Sequence, residues 1–313
     1  MARPSAHSRR PVHTYSIVAR DPHTGELGCA VQSHWFNVGN LVLWAEPGVG
    51  AVATQSFVEP AYGPRGLARM GAGATAEDAL ATLVADDAER DDRQVGIVDA
   101  TGRATAHTGL SCIEAAGHEI GDGFAVQANM MANADIWPAM ADAYRSELGS
   151  LDLAGRLVAA LAAAQAAGGD FRGQQSAAIL VVGADRSDRP WEATRFDLRV
   201  EDHPDPVGEL ARVVELQRAY DLMNDGDAAT AVDDWDRALA MYSAAAERAP
   251  HIVELPFWHA VALVNGNRTD EALPIFADVF RREPHWRDAI GRLVRARQLP
   301  SDEATVNRIT TLP

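Results

Sequence analysis

Thr14 is the residue of greatest chemical interest, because it opens a strand-like run, Thr14-Tyr-Ser-Ile-Val-Ala-Arg20, that turn residues follow at once. A threonine so placed suits an N-terminal-nucleophile mechanism, in which the hydroxyl attacks an amide carbonyl and the residue's own α-amine accepts the proton. Threonine also favours strands for packing reasons alone, so spacing by itself leaves a purely structural role open. Thirteen residues precede Thr14, and the mechanism requires their removal after His13. Initiation at Val12 would still leave His13 in front. Other bases are scarce: all 28 basic residues are arginine. Without lysine there is no Schiff base, no phosphate-loop lysine and no Thr-Lys pair, and arginine stays protonated at every working pH. His107, Cys112 and His118 are donors that zinc accepts, yet they lack the paired short spacing of a zinc site, and no HExxH helix is present. No metal and no other cofactor is expected. Cys112 reads as a small buried residue, and Gly71-Ala-Gly73 as a helix terminus.

The elements that must position Thr14 follow from local patterning. Asp21-Pro-His-Thr-Gly25 is turn chemistry, with Pro22 preset for a turn and Gly25 free to take positive φ. It joins Thr14–Arg20 to a second strand, Leu27–Ser33, as a hairpin. Further strands are predicted at Leu41–Trp44, Gly50–Ser56, Gln94–Asp99, Ala104–Thr108, Gly123–Asn129, Ser176–Val182 and Thr194–Val200. Helices are predicted after Thr75, whose spacing to Asp78 resembles a capping box, and over Ala134–Leu148 and Leu151–Ala167. Strands, helices, strands, helices, strands in that order suit a layered α+β fold.

After the stiff linker His203-Pro-Asp-Pro206 the pattern becomes helical. Ala238, Tyr242, Ala245 and Pro250 recur as Ala272, Phe276, Val279 and Pro284, each displaced by 34 residues. That is the period of tetratricopeptide repeats, with small residues where two helices touch and a proline ending the second. Asp233 and Asn267 stand where a glycine is usual between the helices.

Composition sets the outer limits. A net charge of −16 argues against a nucleic-acid binder, because phosphate binding needs a positive footprint. No apolar run approaches the roughly 18 residues of a membrane span, and the basic opening segment lacks the apolar core of a secretory signal. The two cysteines, Cys29 and Cys112, are too few for a disulfide scaffold and suit a reducing compartment. A cytoplasmic location is expected.

A family resemblance sharpens this reading. Thr14–Asp21, Gly28–Ser33, Val38-Gly39, Gly48–Gln55, Tyr62-Gly-Pro-Arg-Gly-Leu67, Gln94–Asp99, His107-Thr-Gly109, Cys112, Gly117-His118, Val126-Gln127, Asn129, Arg172-Gly-Gln-Gln-Ser-Ala177 and Asp197–His203 occur in an order that resembles the Ntn-hydrolase-like domain-of-unknown-function family 1028. The resemblance covers about residues 14 to 206. It implies a four-layer αββα sandwich, and members also carry a helical tail of the kind found here. The expected organisation is therefore a disordered leader over 1–13, an Ntn-hydrolase-like α+β domain over 14–206, and an all-α tetratricopeptide-like domain over 207–313.

Within that frame Thr14 is the candidate nucleophile, with Ser33 and Asn129 as its catalytic companions. Ser33 could relay or orient a proton. Gln55, Gln127, Asn129 and Gln175 carry uncharged amides able to donate to an oxyanion or hold an amide substrate; each would serve equally as a buried polar group satisfying nearby backbone. Ser176 reads as structural. The expected activity is hydrolysis of an amide or peptide bond in a small-molecule or peptide substrate. The alternative is a non-catalytic binding or scaffold protein that uses its helical tail for a protein partner. A homo-oligomer is compatible with either; nucleic acid and membrane are not expected as partners.

Overall fold

The computed structural model describes residues 14–300 and 302–313, and the leader expected over 1–13 lies outside them. The chain divides into two compact units, the first ending at Val214 and the second spanning Glu215–Pro313. Among the described residues no helix is long and apolar enough to cross a membrane.

The first unit opens with β1 (Thr14–Arg20) and β2 (Leu27–Ser33), paired as an antiparallel hairpin. Its turn is built as the residue types suggest. Asp21 Oδ1 accepts from the backbone N–H groups of His23 and Thr24, each at 2.8 Å, and Gly25 has φ of 76°. A short helix, α1 (Gly39–Val42), then leads into β3 (Leu43–Glu46), so the strand expected from Leu41 begins two residues later. The helical turn is favoured there because it buries Val38 and Val42 beneath the later strand Ser176–Val182, while Ser176 Oγ accepts the Val38 N–H at 3.1 Å.

The remaining elements of this unit are β4 (Gly50–Ser56), α2 (Tyr62–Gly71), α3 (Ala76–Ala85), β5 (Arg93–Asp99), β6 (Ala104–Thr108), β7 (Gly117–Gly121), β8 (Phe124–Asn129), α4 (Ile136–Ser146), α5 (Leu153–Ala166), β9 (Ser176–Val182) and β10 (Thr194–Val200). Thr75 caps α3 by accepting from Asp78 N–H at 3.1 Å, and Asp152 caps α5 in the same way through Gly155 N–H at 2.8 Å. The strands form two antiparallel sheets, ordered β10-β9-β2-β1-β8-β7 and β3-β4-β5-β6. Strand β7 was not expected: it is a half-buried edge strand with a single large apolar residue, so it carries no alternation to read.

The two sheets face each other, α4 and α5 cover the outer face of the larger, and α2 and α3 cover that of the smaller. Strand alternation assigns each side chain to a layer. Tyr15, Ile17 and Ala19 pack toward α4 and α5, while Val18 joins Leu27, Cys29, Val31, Ala53 and Val98 between the sheets.

Arg93, at the start of β5 and only 7% exposed, ties β4's exit to this sheet. It donates to Asp87 Oδ2 at 2.9 Å, to Phe57 O at 2.6 Å and to Glu89 Oε2 at 2.5 Å. Burial pushes the Asp87 carboxyl up, but the bonds from Arg93 and from the Glu89 backbone N–H outweigh it and hold its pKa below the usual value. A depressed folded pKa stabilises the fold above the unfolded pKa of about 3.9, and that stabilisation is lost as pH falls through the folded value. Urea denaturation followed from pH 6 to pH 3 should therefore show a steeper acid loss for the wild type than for Asp87→Asn. Equal slopes would remove Asp87 from the account.

In the second unit, the C-terminal part of α6 (Pro206–Thr230) is followed by α7 (Trp235–Arg248), α8 (Glu254–Asn265), α9 (Thr269–Arg282), α10 (Arg287–Arg295) and α11 (Glu303–Thr310). The 34-residue offset superposes α7 on α9. Ala238 and Ala272 are both fully buried, Tyr242, Phe276 and Val279 belong to the same core, and Ala245 is buried as well. Asp233 and Asn267 have φ of 59° and 60°. They take the left-handed conformation that glycine would otherwise supply, which Asn and Asp tolerate better than other side chains. Because Ala272 sits in a filled core, Ala272→Leu should overpack it and cost about 1–3 kcal/mol. A melting temperature identical to wild type would show that this register is misplaced.

Candidate functional site

Since β1 runs antiparallel to both neighbours, its first residue lies level with their last ones. Thr14 is paired with Ser33 on β2 and with Asn129 on β8, and Ser33 is paired in turn with Ser176 on β9. Side chains at one level of a sheet point to the same face, and here that face is the one shared with Val18 and Val31, toward the second sheet. Thr14, Ser33 and Asn129 are all fully buried.

The level beneath them is a network of amides. From β4, Gln55 Nε2 donates to the Thr14 carbonyl at 3.0 Å and to Gln94 Oε1 at 2.7 Å. Gln55 Oε1 accepts the Ser16 hydroxyl at 2.6 Å, and Ser16 Oγ accepts from Gln127 Nε2 at 2.8 Å. Asn129 Nδ2 donates to Gln94 Oε1 at 2.8 Å, and Gln94 Nε2 donates to Ala128 O and Thr108 Oγ1, both at 2.9 Å. The layer between the sheets is thus apolar at one end and polar at the Thr14 end. Gln127 fits because β5 carries Gly96 opposite it: a Cβ there would lie 2.2 Å from Gln127 Oε1. Asn129 Oδ1 and Gln127 Oε1 are buried without a hydrogen-bond partner among the described residues, which is uncommon for buried polar atoms.

Known proteins bear on this arrangement. A family model described as "Family of unknown function (DUF1028)" matches residues 14–210. The chain belongs to this family. A crystal structure of protein SPO2555 from Silicibacter pomeroyi, likewise assigned to DUF1028, is similar at 30% sequence identity with a TM-score of 0.57, the match covering 65% of this chain and 88% of that one. No curated protein matches. The DUF1028 match takes in every strand of the described residues and the whole polar end of the sandwich, whereas the unit from Glu215 lies beyond it.

Three non-glycine residues at the Thr14 end of this DUF1028 domain hold left-handed backbone: Asn37, which follows β2, has φ of 51°, Ser56, which ends β4, has φ of 68°, and Met130, which follows β8, has φ of 56°. Such conformations cost on the order of 1–3 kcal/mol each and cluster where loops are shaped for function. His118 lies at the rim, its Nδ1 2.8 Å from Thr108 Oγ1. Burial, with His107 nearby, lowers its pKa, so the ring is neutral at pH 7.

The residues singled out from sequence fare differently. Thr14, Ser33 and Asn129 share one level, and Gln55 and Gln127 lie directly beneath them. Gln175 is not brought to the group: its amide donates to Asp202 Oδ1 at 3.0 Å in an exposed contact, and only its backbone N–H reaches Ser33 O, at 3.2 Å. Ser176 is structural, its hydroxyl donating to Trp35 O at 2.5 Å. His107 Nε2 lies 2.8 Å from Arg90 O, and Cys112 Sγ lies 3.4 Å from Arg93 O. Among the described residues no three His, Cys, Asp or Glu side chains are grouped to hold a metal ion. Sequence reasoning missed Ser16 and Gln94. The available signal was their position: polar residues at alternate places in otherwise apolar strands, on the same face as Thr14 and Gln55.

Proposed function

We propose that this DUF1028 protein hydrolyses an amide or peptide bond by an N-terminal-nucleophile mechanism, with Thr14 as the nucleophile and its α-amine as the base. The observation that carries the reading is the shared level of Thr14, Ser33 and Asn129 on three adjacent central strands, facing a buried polar layer. Two stacked antiparallel sheets with helix pairs on both outer faces are consistent with an Ntn-hydrolase-like sandwich, and the helical unit suits a tetratricopeptide-type pair.

The chemistry assigns work to each group. Thr14 Oγ1 attacks the substrate carbonyl carbon as its proton passes to the α-amine, and the ammonium so formed then protonates the leaving amine. Water hydrolyses the acyl ester and restores the hydroxyl. Gln55 fixes the Thr14 main chain through its carbonyl. Asn129 is better suited to orient the amine than to stabilise the oxyanion. Its Nδ2 is engaged by Gln94, whereas its acceptor Oδ1 is unpartnered among the described residues. Ser33 flanks the hydroxyl on the other side.

The base exists only if the His13–Thr14 bond is cut. Intact-mass spectrometry of active protein should give a chain beginning at Thr14. Undiminished hydrolysis by a preparation whose terminus is Met1 or Ala2 would exclude the α-amine as base.

A further inference from the structure

At the far end of β1 from Thr14, a pocket of about 260 Å³ opens between the Thr101-Gly102 turn, the Asp122-Gly123 turn and helices α4 and α5. Its lining is partly aromatic: the rings of Phe124 and Tyr144 lie with centroids 4.7 Å apart. A guanidinium covers each ring, Arg145 at 5.1 Å from the Phe124 centroid and Arg156 at 3.9 Å from that of Tyr144. Both cations are already neutralised. Arg156 pairs with buried Asp21 at 3.3 Å, and Arg145 pairs with Glu119 at 2.5 Å.

Arg20, the last residue of β1, lines the same pocket and is not neutralised. Its Nε is buried with no hydrogen-bond partner, and no carboxylate lies within ion-pair reach of it, among the described residues. Tyr144, 1% exposed, also lines the pocket, and its hydroxyl has no partner among the described residues. Buried donors left unsatisfied are unfavourable, and two of them border one cavity beside an apolar wall.

We propose that this pocket binds a small monocarboxylate, its carboxylate held by Arg20 and the Tyr144 hydroxyl and its apolar body resting on Phe124 and Leu148. A guanidinium fork matches a carboxylate's two oxygens. One uncompensated cation matches one negative charge, and Asp122 on the lining disfavours a dianion such as phosphate. The apolar wall selects an organic body over a bare anion.

Isothermal titration of the purified full chain with benzoate, 3-methylbutanoate, benzamide and inorganic phosphate tests this. Saturable binding is expected for at least one of the two carboxylates, with none for neutral benzamide. Arg20→Gln should weaken it by about tenfold or more, and Tyr144→Phe should weaken it without altering the fold, so the second variant decides should the first not fold. The proposal is overturned if neither carboxylate saturates, if binding survives both substitutions unchanged, or if phosphate binds more tightly than either carboxylate.

Discussion

If the proposed mechanism holds, Thr14→Ala should abolish amide hydrolysis, by on the order of 10⁴-fold or more, while leaving the first unit folded. The side chain lost is one hydroxyl and one methyl. The stability cost is that of a small buried polar group, about 1–2 kcal/mol, within the roughly 5–15 kcal/mol that holds a domain together. The proposed nucleophile, by contrast, would have no substitute at this level. Ser33 lies on the neighbouring strand and lacks an α-amine beside its hydroxyl, and the chain holds no lysine to activate it. Thr14→Ser should retain part of that activity, because hydroxyl and amine keep their relation and only a methyl is removed. The measurement is turnover of a panel of acyl amides and dipeptides, with circular dichroism to confirm folding. Thr14→Ala protein that turns over at the wild-type rate would pass the nucleophile's role to another residue, Ser33 first.

Gln55→Leu is expected to destabilise the first unit by roughly 3–5 kcal/mol, because it removes hydrogen bonds from several buried partners at once. Leucine nearly conserves volume, so the cost is not a cavity. It is the loss of the donors to the Thr14 carbonyl and Gln94 Oε1 and of the acceptor for the Ser16 hydroxyl, all in fully buried surroundings. Gln175→Leu is the matched control. Its amide bonds an exposed carboxylate, so its effect should stay within about 0.5 kcal/mol. Urea midpoints of the two variants make the comparison, and similar values would mean that the amide network contributes little. A double-mutant cycle with Gln94→Leu should show strong coupling, since the two side chains share a bond of 2.7 Å.

Much of this architecture is legible in sequence because its signals are local. The Asp21–Gly25 turn, the Thr75 cap and the 34-residue offset each depend on residues close in the chain, and each is found where its chemistry indicates. What escapes is set by distant partners. Gln94 and Gln55 look alike in sequence, yet Gln94 joins the site only because β5 pairs with β4 in a register that brings Thr54 opposite Val95 and Gln55 opposite Gln94. Gln175 shows the reverse. It adjoins β9 in the chain, but stands just outside the strand, where its side chain turns toward Asp202 instead of the layer between the sheets. The α1 turn and β7 were hidden for a third reason: each is short and draws its stability from neighbours and not from its own pattern.

The division of the inter-sheet layer into an apolar and a polar end has an evolutionary corollary. At the apolar end, positions such as Val18, Val31 and Val98 accept volume-conserving exchanges one at a time, because each swap leaves its neighbours satisfied. At the polar end single exchanges are felt across strands: replacing Ser16, Gln55 or Gln94 takes a hydrogen-bond partner from a buried group on another strand, and replacing Gln127 or Asn129 removes one of the donors that Ser16 Oγ or Gln94 Oε1 receives. Lineages should therefore keep these five residues as a block or surrender them as a block. A relative that has abandoned the chemistry would be recognised by hydrocarbon side chains at all five positions together, while its apolar end drifts at the pace of any other core.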